Sequence, residues 1–271
     1  MARKGVESPR LQTELLLAHV LKLPRMKLYL NFERALTDAE TDAMRELVRR
    51  RSLREPLQHI TGTAPFAAWE MTVNRHVLVP RPETELLAEA GWQFLSALNS
   101  QPATALDFGT GTGCIAIALA AKCPTAHVTA LDVSTEALAV ARQNAERNGV
   151  MGRIEFVESD GFKAVTADRR FNLIISNPPY IPSAEITTLQ PEVRDFDPHS
   201  ALDGGADGLD FYRQLAVEAP NWLAPGGKLM VEFGDGQAPA LEKLFVEQKW
   251  IVEAVRADYS QRQRILIAQW G

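Results

Sequence analysis

Apolar residues recur at spacings of three and four between residues 8 and 57, with Leu11, Leu15, Leu16, His19 and Val20 on one stripe and a second periodic run over 38–53. That period is the mark of amphipathic helices. Thr37-Asp38-Ala39-Glu40 reads as a capping box opening the second run. The pattern changes at residue 61. Trp69-Glu70-Met71-Thr72-Val73 and His76-Val77-Leu78-Val79 flank Asn74-Arg75, which predicts a β-hairpin linker. Helical spacing returns over 83–98, and beyond Pro102 short apolar runs alternate with helical ones. Strands are expected at 103–108, 127–132, 154–157, 173–176, 228–233 and 265–269, and helices at 114–122, 135–147, 209–219 and 238–248. Such alternation implies an α/β fold, a mainly parallel sheet with helices on both faces, whose ligands lie at the carboxyl ends of the strands. The chain thus divides into a helical domain (1–60), a hairpin linker (61–82) and an α/β domain (83–271).

Composition bounds what these parts do. The 271 residues are 46% hydrophobic and 23% charged, an ordinary globular balance. The net charge of −5 is uneven: residues 1–60 hold 12 Lys and Arg against 8 Asp and Glu, the remainder 17 against 26. An acidic α/β region argues against a phosphate-neutralising nucleic-acid footprint. The basic helical region is either a cover for the rest or a partner-binding domain, and its run Arg49-Arg50-Arg51 reads as a solvated helix face. The charges among the first thirty residues leave no signal-peptide core, and the longest apolar run, 115–121, is far short of a membrane span. A cytoplasmic location without membrane contact is expected. Cys114 and Cys123 lack companions at metal-ligand spacing and read as small buried hydrophobes, so no metal is expected.

The chemistry gathers at strand ends. Asp107-Phe108-Gly109-Thr110-Gly111-Thr112-Gly113 leaves a strand just before a helix, and alternate glycines let the backbone turn sharply against a ligand. The spacing is neither the dinucleotide G-x-G-x-x-G nor a P-loop. The next strand ends in Asp132, nineteen residues after Gly113, where a carboxylate meets ribose hydroxyls. Turn and acid together specify a nucleoside, either a nicotinamide cofactor or S-adenosylmethionine. Ser159-Asp160-Gly161-Phe162 ends a third strand, in position to meet an adenine.

Ile174-Ile175-Ser176 then runs into Asn177-Pro178-Pro179-Tyr180. Two prolines remove two N–H donors and leave the neighbouring carbonyls as acceptors. Those carbonyls and the Asn177 side chain match the two protons of a planar NH₂ group, on which Tyr180 would stack. This reading makes Asn177, Pro178 and Tyr180 the catalytic candidates, with Pro179 beside them.

Asn-Pro-Pro-Tyr after a strand, with Asp-x-Gly-x-Gly-x-Gly two strands earlier, resembles the amino-methyltransferases of the class I S-adenosylmethionine-dependent fold. Glu55-Pro56-Leu57-Gln58-His59-Ile60-Thr61-Gly62, Arg81-Pro82-Glu83-Thr84-Glu85 and Ala201-Leu202-Asp203-Gly204-Gly205-Ala206-Asp207-Gly208-Leu209 are similar to the peptide chain release factor glutamine N5-methyltransferases, the PrmC/HemK family. The likeness covers essentially the whole chain. It implies a seven-stranded Rossmann-like sheet and a target glutamine in the Gly-Gly-Gln loop of bacterial class I release factors, which the helical domain docks. It also implies that Gly109, Thr110, Gly111, Thr112, Gly113, Asp132, Asp160, Gly161, Phe162 and Asn177 contact S-adenosylmethionine, and that Asn177 to Tyr180, with Glu83, bind the glutamine. Gly161 departs from the bulkier residue usual there, with Phe162 as a substitute against the adenine. Gln261-Arg262-Gln263-Arg264 replaces a Gly-Arg-Asp-Arg turn, and the resemblance leads one to expect that the sequence starts part-way into the front domain. The rival reading is an N6-adenine methyltransferase acting on a flipped base. A nucleoside-binding module without catalysis is a further alternative.

Overall fold

The computed structural model describes residues 1–98 and 102–271. The helical front runs through α1 (Pro9–Leu21), α2 (Arg25–Leu28), α3 (Asp38–Ser52) and α4 (Leu57–Thr61). The α1 stripe centres on Leu16, which is fully buried, while His19 faces solvent. Thr37 caps α3 as its sequence requires: Thr37 Oγ1 accepts from Glu40 N and Glu40 Oε2 accepts from Thr37 N. The arginine run is not simply a solvated face. Arg51 is only 4% exposed, and its guanidinium donates to Gln12 Oε1, Glu55 O and Glu192 Oε1. Three acceptors around a planar fork make burial of that charge tolerable.

The hairpin forms one turn earlier than its sequence suggested. β1 (Thr63–Phe66) pairs antiparallel with β2 (Trp69–Thr72), and Ala67 takes a left-handed φ of 50° in the turn. Pro65 had hidden β1, since proline weakens a strand reading. After β2 the chain does not fold back. Asn74 Oδ1 accepts from His76 N, and Val73, Val77 and Val79 bury against Ala137 and Val140 in a small separate core. Packing on a helix has replaced pairing with β2.

Next come α5 (Pro82–Ala97), β3 (Thr104–Phe108), α6 (Cys114–Lys122), β4 (His127–Asp132), α7 (Thr135–Arg147), β5 (Ile154–Glu158), β6 (Phe171–Ser176), α8 (Pro191–Arg194), α9 (Asp210–Glu218), β7 (Leu223–Glu232), α10 (Ala238–Glu247), β8 (Trp250–Ala257) and β9 (Gln263–Trp270). Among the described residues, seven strands form one sheet in the order β5-β4-β3-β6-β7-β9-β8. The first five are parallel, and β9 runs antiparallel between β7 and β8.

Strand β8 lay outside the sequence expectation. It is an edge strand with the apolar Ile251 exposed and register slips at Val252/Ala254 and Arg256/Ala257, so its alternation is lost in the second half. The turn before β9 holds Gln261 at φ 63°, and Asp258 Oδ1 ties it by accepting from Ser260 N and Arg262 N.

Side chains alternate across the sheet as the pleat demands. Leu173, Ile175 and Met230 join α5 and α6 on one face; Ile174, Leu229 and Val231 join α9 and α10 on the other. Helix α6 is buried all round, Cys114 included, and Cys123 is buried just beyond it. No helix among the described residues is long and apolar enough to cross a membrane.

Candidate active site

A cavity of about 240 Å³ opens at the carboxyl ends of β3, β4 and β6. One wall is the turn after β3. Gly109, Gly111 and Gly113 take φ values of 74°, 53° and 79°, which L side chains rarely adopt. A Cβ on Gly109 or Gly111 would meet no protein atom within 4 Å, so both present bare backbone to open space; one on Gly113 would press on Ala141 at 3.1 Å. The turn is anchored from below. Asp107, fully buried, accepts from the Thr110 hydroxyl at 2.6 Å and from Ala116 N at 3.1 Å, while its Oδ1 has no partner among the described residues. Burial pushes this carboxyl up to about 7.

Asp132 stands at the end of β4 with its carboxylate against the same turn. Oδ2 accepts from Gly111 N at 2.9 Å and Oδ1 from Ser134 N at 3.0 Å. Burial raises its pKa, and those backbone N–H groups oppose the rise. Each oxygen keeps a lone pair for a further donor.

The third strand end divides. Ser159, Asp160 and Gly161 line the cavity. Asp160 is exposed and paired with Lys163, and Gly161 takes φ 63°. Phe162 turns inward, 3% exposed. Its ring lies 5.1 Å from that of Phe108 and stacks on Trp222 at 5.9 Å. It belongs to the core and not to the cavity wall, which corrects its expected place against an adenine: the residue after the Gly161 turn points into the sheet's far face.

On the opposite side β6 delivers Asn177, Pro178 and Pro179 to the cavity. Asn177 Nδ2 donates to Thr84 Oγ1 at 3.1 Å, and among the described residues Asn177 Oδ1 has no hydrogen-bond partner. Among the described residues no donor reaches the Pro178 or Pro179 carbonyl, whereas the Tyr180 carbonyl accepts from Gln237 Nε2 at 2.9 Å. Two expected contacts fall outside this wall. Tyr180 packs on the core at the far side of the prolines, and burial, with Glu232 nearby, raises its hydroxyl to about 12. Glu83, in the first turn of α5, is half-buried and is not among the residues that line the cavity.

Other wall residues come from the linker: His76, Val77 and Leu78 from the run expected to be a strand, Pro80 from its end, and Arg81 from the start of the Arg-Pro-Glu-Thr-Glu segment. Arg81 donates to Asp197 Oδ2 at 2.8 Å, and burial holds the Asp197 carboxyl up at about 6 against that attraction. This pair pins the stretch carrying Pro198, Ser200 and Ala201, which closes another side. Behind Asn177 lie Thr84 and Glu232, both buried. Thr84 lies inside the Arg-Pro-Glu-Thr-Glu run, and only its place at a strand end pointed to Glu232. Among the described residues no group of His, Cys, Asp and Glu could hold a metal ion.

Comparison with known proteins places this geometry in a lineage. Residues 1–62 match the family model of the PrmC N-terminal domain, and residues 87–190 that of the methyltransferase small domain. The release factor glutamine methyltransferase of Geobacter sulfurreducens is 49% identical over 247 residues, covering 90% of this chain and 84% of that protein. The protein of the same name from Chlorobaculum tepidum is 48% identical over 244 residues, covering 88% and 83%. Among solved structures, a methyltransferase from Pyrococcus furiosus shares the fold, with a TM-score of 0.53 at 22% identity over 74% of this chain and 89% of that one. With nearly half its residues identical to such relatives over most of both chains, and a glycine turn, a strand-end acid and Asn-Pro-Pro-Tyr around one cavity, this chain belongs to the release factor glutamine methyltransferase family.

Proposed function

We propose that this chain transfers a methyl group from S-adenosylmethionine to the side-chain amide nitrogen of the glutamine in the Gly-Gly-Gln motif of bacterial class I release factors. The observation that carries the reading is the Asn177 carboxamide on the cavity wall, held through Nδ2 by Thr84, so that among the described residues its Oδ1 is unpaired, as is the carbonyl of the adjoining Pro178. Two such acceptors suit the two protons of a planar amide, whereas a hydroxyl or thiol has only one proton to give.

The cavity suits the methyl donor. Gly109 to Gly113 present backbone without side chains, Asp132 keeps acceptor capacity on both oxygens for a ribose diol, and Asp160 and Gly161 border the adenine position. S-adenosylmethionine supplies an electrophilic methyl on a sulfonium, and no metal enters the scheme. The chain's own residues address the harder half, because an amide lone pair is delocalised into its carbonyl. Asn177 Oδ1 and the Pro178 carbonyl fix both N–H protons, stop rotation about the amide bond and build electron density on nitrogen. Pro179 keeps the backbone in place. Orientation of this kind contributes about 7–11 kcal/mol to well-aligned reactions. The N–C bond would form as the S–CH₃ bond breaks, with S-adenosylhomocysteine as the leaving group, and the amide proton would then pass to water.

The helical front, 1–60, is the surface we assign to the release factor, and the cytoplasm is where such a pair would meet. Incubating the chain with labelled S-adenosylmethionine and a class I release factor, then mapping the product by mass spectrometry, tests the reading. Label on the Gly-Gly-Gln glutamine is expected. Label on adenine in a duplex or single-stranded oligonucleotide, with none on the factor, would overturn it in favour of an N6-adenine methyltransferase. Asn177→Ala is expected to abolish turnover while weakening S-adenosylmethionine binding only modestly.

A further inference from the structure

The turn after β5 leaves a gap that another element fills. Gly161 takes a left-handed φ of 63°, and a Cβ on it would stand 2.2 Å from Gln214 Nε2 and 3.8 Å from Glu218 Oε2. The side chain of Gln214, from α9, thus lies in the space that a larger residue at 161 would claim. Phe211, Gln214 and Glu218 follow one another at spacings of three and four and share one face of α9. Tyr212, Leu215 and Ala216 bury another face in the core. Phe211 and Gln214 both line the cavity, as do Asp160 and Gly161.

The polar groups of this corner are largely engaged. The Gly161 carbonyl accepts from Ser159 Oγ at 2.7 Å, and the exposed Asp160 is paired with Lys163. Gln214 Nε2 donates to Glu218 Oε2 at 3.4 Å, a long bond, and among the described residues Gln214 Oε1 has no hydrogen-bond partner. Apolar surface on the same cavity comes from Phe211 and from Val133, which directly follows Asp132 and is 63% exposed. Apolar side chains with a carboxamide among them suit a flat heteroaromatic ring that carries an amino group. The ring buries its faces, and the amide oxygen accepts from the NH₂. A glutamine side chain matches adenine in this way, accepting from N6 and donating to a ring nitrogen; its NH₂ has a second proton to give.

We infer that Gln214 recognises the 6-amino edge of the methyl donor's adenine, from the place left open by Gly161. The inference rests on the reading of the cavity as an S-adenosylmethionine site. It goes beyond that reading by moving the choice of base from the turn after β5 to a helix between β6 and β7. A 6-oxo purine would present an acceptor to Gln214 Oε1, lone pair against lone pair. Turning the carboxamide over to suit that base would give up the bond to Glu218.

Calorimetry on the full chain with S-adenosylhomocysteine and with S-inosylhomocysteine tests this. The parent is expected to prefer the adenosyl ligand. Gln214→Leu, close in size but without the carboxamide, is expected to cut that preference about 5–30-fold, the worth of one hydrogen bond with its desolvation. Gly161→Ala, whose Cβ displaces Gln214, is expected to lower the preference in the same direction. The backbone strain it adds acts on both ligands alike and cancels in the ratio. The double variant is expected to lose no more of the preference than Gln214→Leu alone, since both changes remove one contact. If Gln214 serves packing only, Gln214→Leu weakens both ligands equally and leaves their ratio intact. That result would overturn the inference and leave the base to Asp160. A parent that binds the two ligands equally would overturn it as well, as would full additivity of the two substitutions. A parent that binds neither ligand would remove the donor reading of the cavity first, and the inference with it.

Discussion

The backbone of Gly204 lies so close to Pro179 that a Cβ on it would stand 2.8 Å from the Pro179 carbonyl oxygen and 2.9 Å from Tyr180 Cα. Both are backbone atoms, and the bridge between Ile181 and Asp203 holds the two segments in that register. Neither side can yield without moving the other. Gly204→Ala is therefore expected to displace the Asn177 to Tyr180 turn, at a cost of about 1–3 kcal/mol from overpacking. A misplacement approaching 1 Å at the glutamine site is worth up to about 100-fold in rate. Thermal melting and kcat read the two effects. A variant with parent stability and rate would mean that the turn accommodates the methyl group freely.

This relationship also shows what the sequence could and could not convey. Ala201-Leu202-Asp203-Gly204-Gly205 stood out as a matching segment, but nothing in the letters says that it lies under Pro179; a contact between distant segments has no local period. Strands β3, β4, β6 and β7 were legible because their buried runs are continuous, and the glycine turn and Asp132 because their spacing reflects backbone geometry. β1 was hidden by Pro65, and β8 by its register slip. Phe162 and Tyr180 were placed on the cavity by chemical suitability, and both rings went to the core, where an aromatic buries more apolar surface. Thr84 lay within a matching segment, whereas Glu232, at the end of a strand, had no motif reading of its own.

Asp132 connects the glycine turn to the diol position, since each of its oxygens already accepts one backbone N–H. Replacing it by Ala removes a charged acceptor whose hydrogen bonds are worth about 1.5–3 kcal/mol. Calorimetry on Asp132→Ala is expected to show S-adenosylmethionine binding weakened roughly 10–100-fold, with a smaller fall in kcat at saturating donor. Asp132→Asn keeps one acceptor oxygen and is expected to fall between. Unchanged binding in Asp132→Ala would remove the residue from the donor site.

The buried Asp107 gives stability a pH dependence whose sign is fixed. Its native pKa of about 7 lies above the ordinary 3.8, through burial first, with the Thr110 and Ala116 hydrogen bonds pulling the other way. Between those values the native state holds a proton that the unfolded state has released, so its contribution to stability falls as pH rises through that window. It is most favourable below about 4 and fully lost above about 7. Asp107→Asn cannot ionise. Its melting temperature relative to the parent is expected to climb from pH 4 to pH 7 and then level off. A constant difference across that range would show that Asp107 ionises in the fold as it does in water.

The buried Arg51 ties the helical front to the α/β part through Glu192, at 2.7 Å, and Arg54 reaches the same carboxylate. Two arginines hold the Glu192 pKa down against the effect of burial. Glu192 is about one-fifth exposed, so the attraction is partly screened, but Arg51 is 5% exposed at its side chain and has little water to replace a lost carboxylate. Breaking a buried pair from one side costs about 3–5 kcal/mol. Arg51 keeps Gln12 and Glu55 as acceptors, which places Glu192→Ala nearer about 2–3 kcal/mol. Denaturant unfolding reads that loss. Because Arg51 sits in α3 and Glu192 in α8, the variant is also expected to let the helical front separate first, seen as a new early cleavage by protease near residue 61 with the α/β core intact. If the unfolding midpoint and the cleavage pattern both match the parent, the contact between α3 and α8 is held by packing and not by this pair.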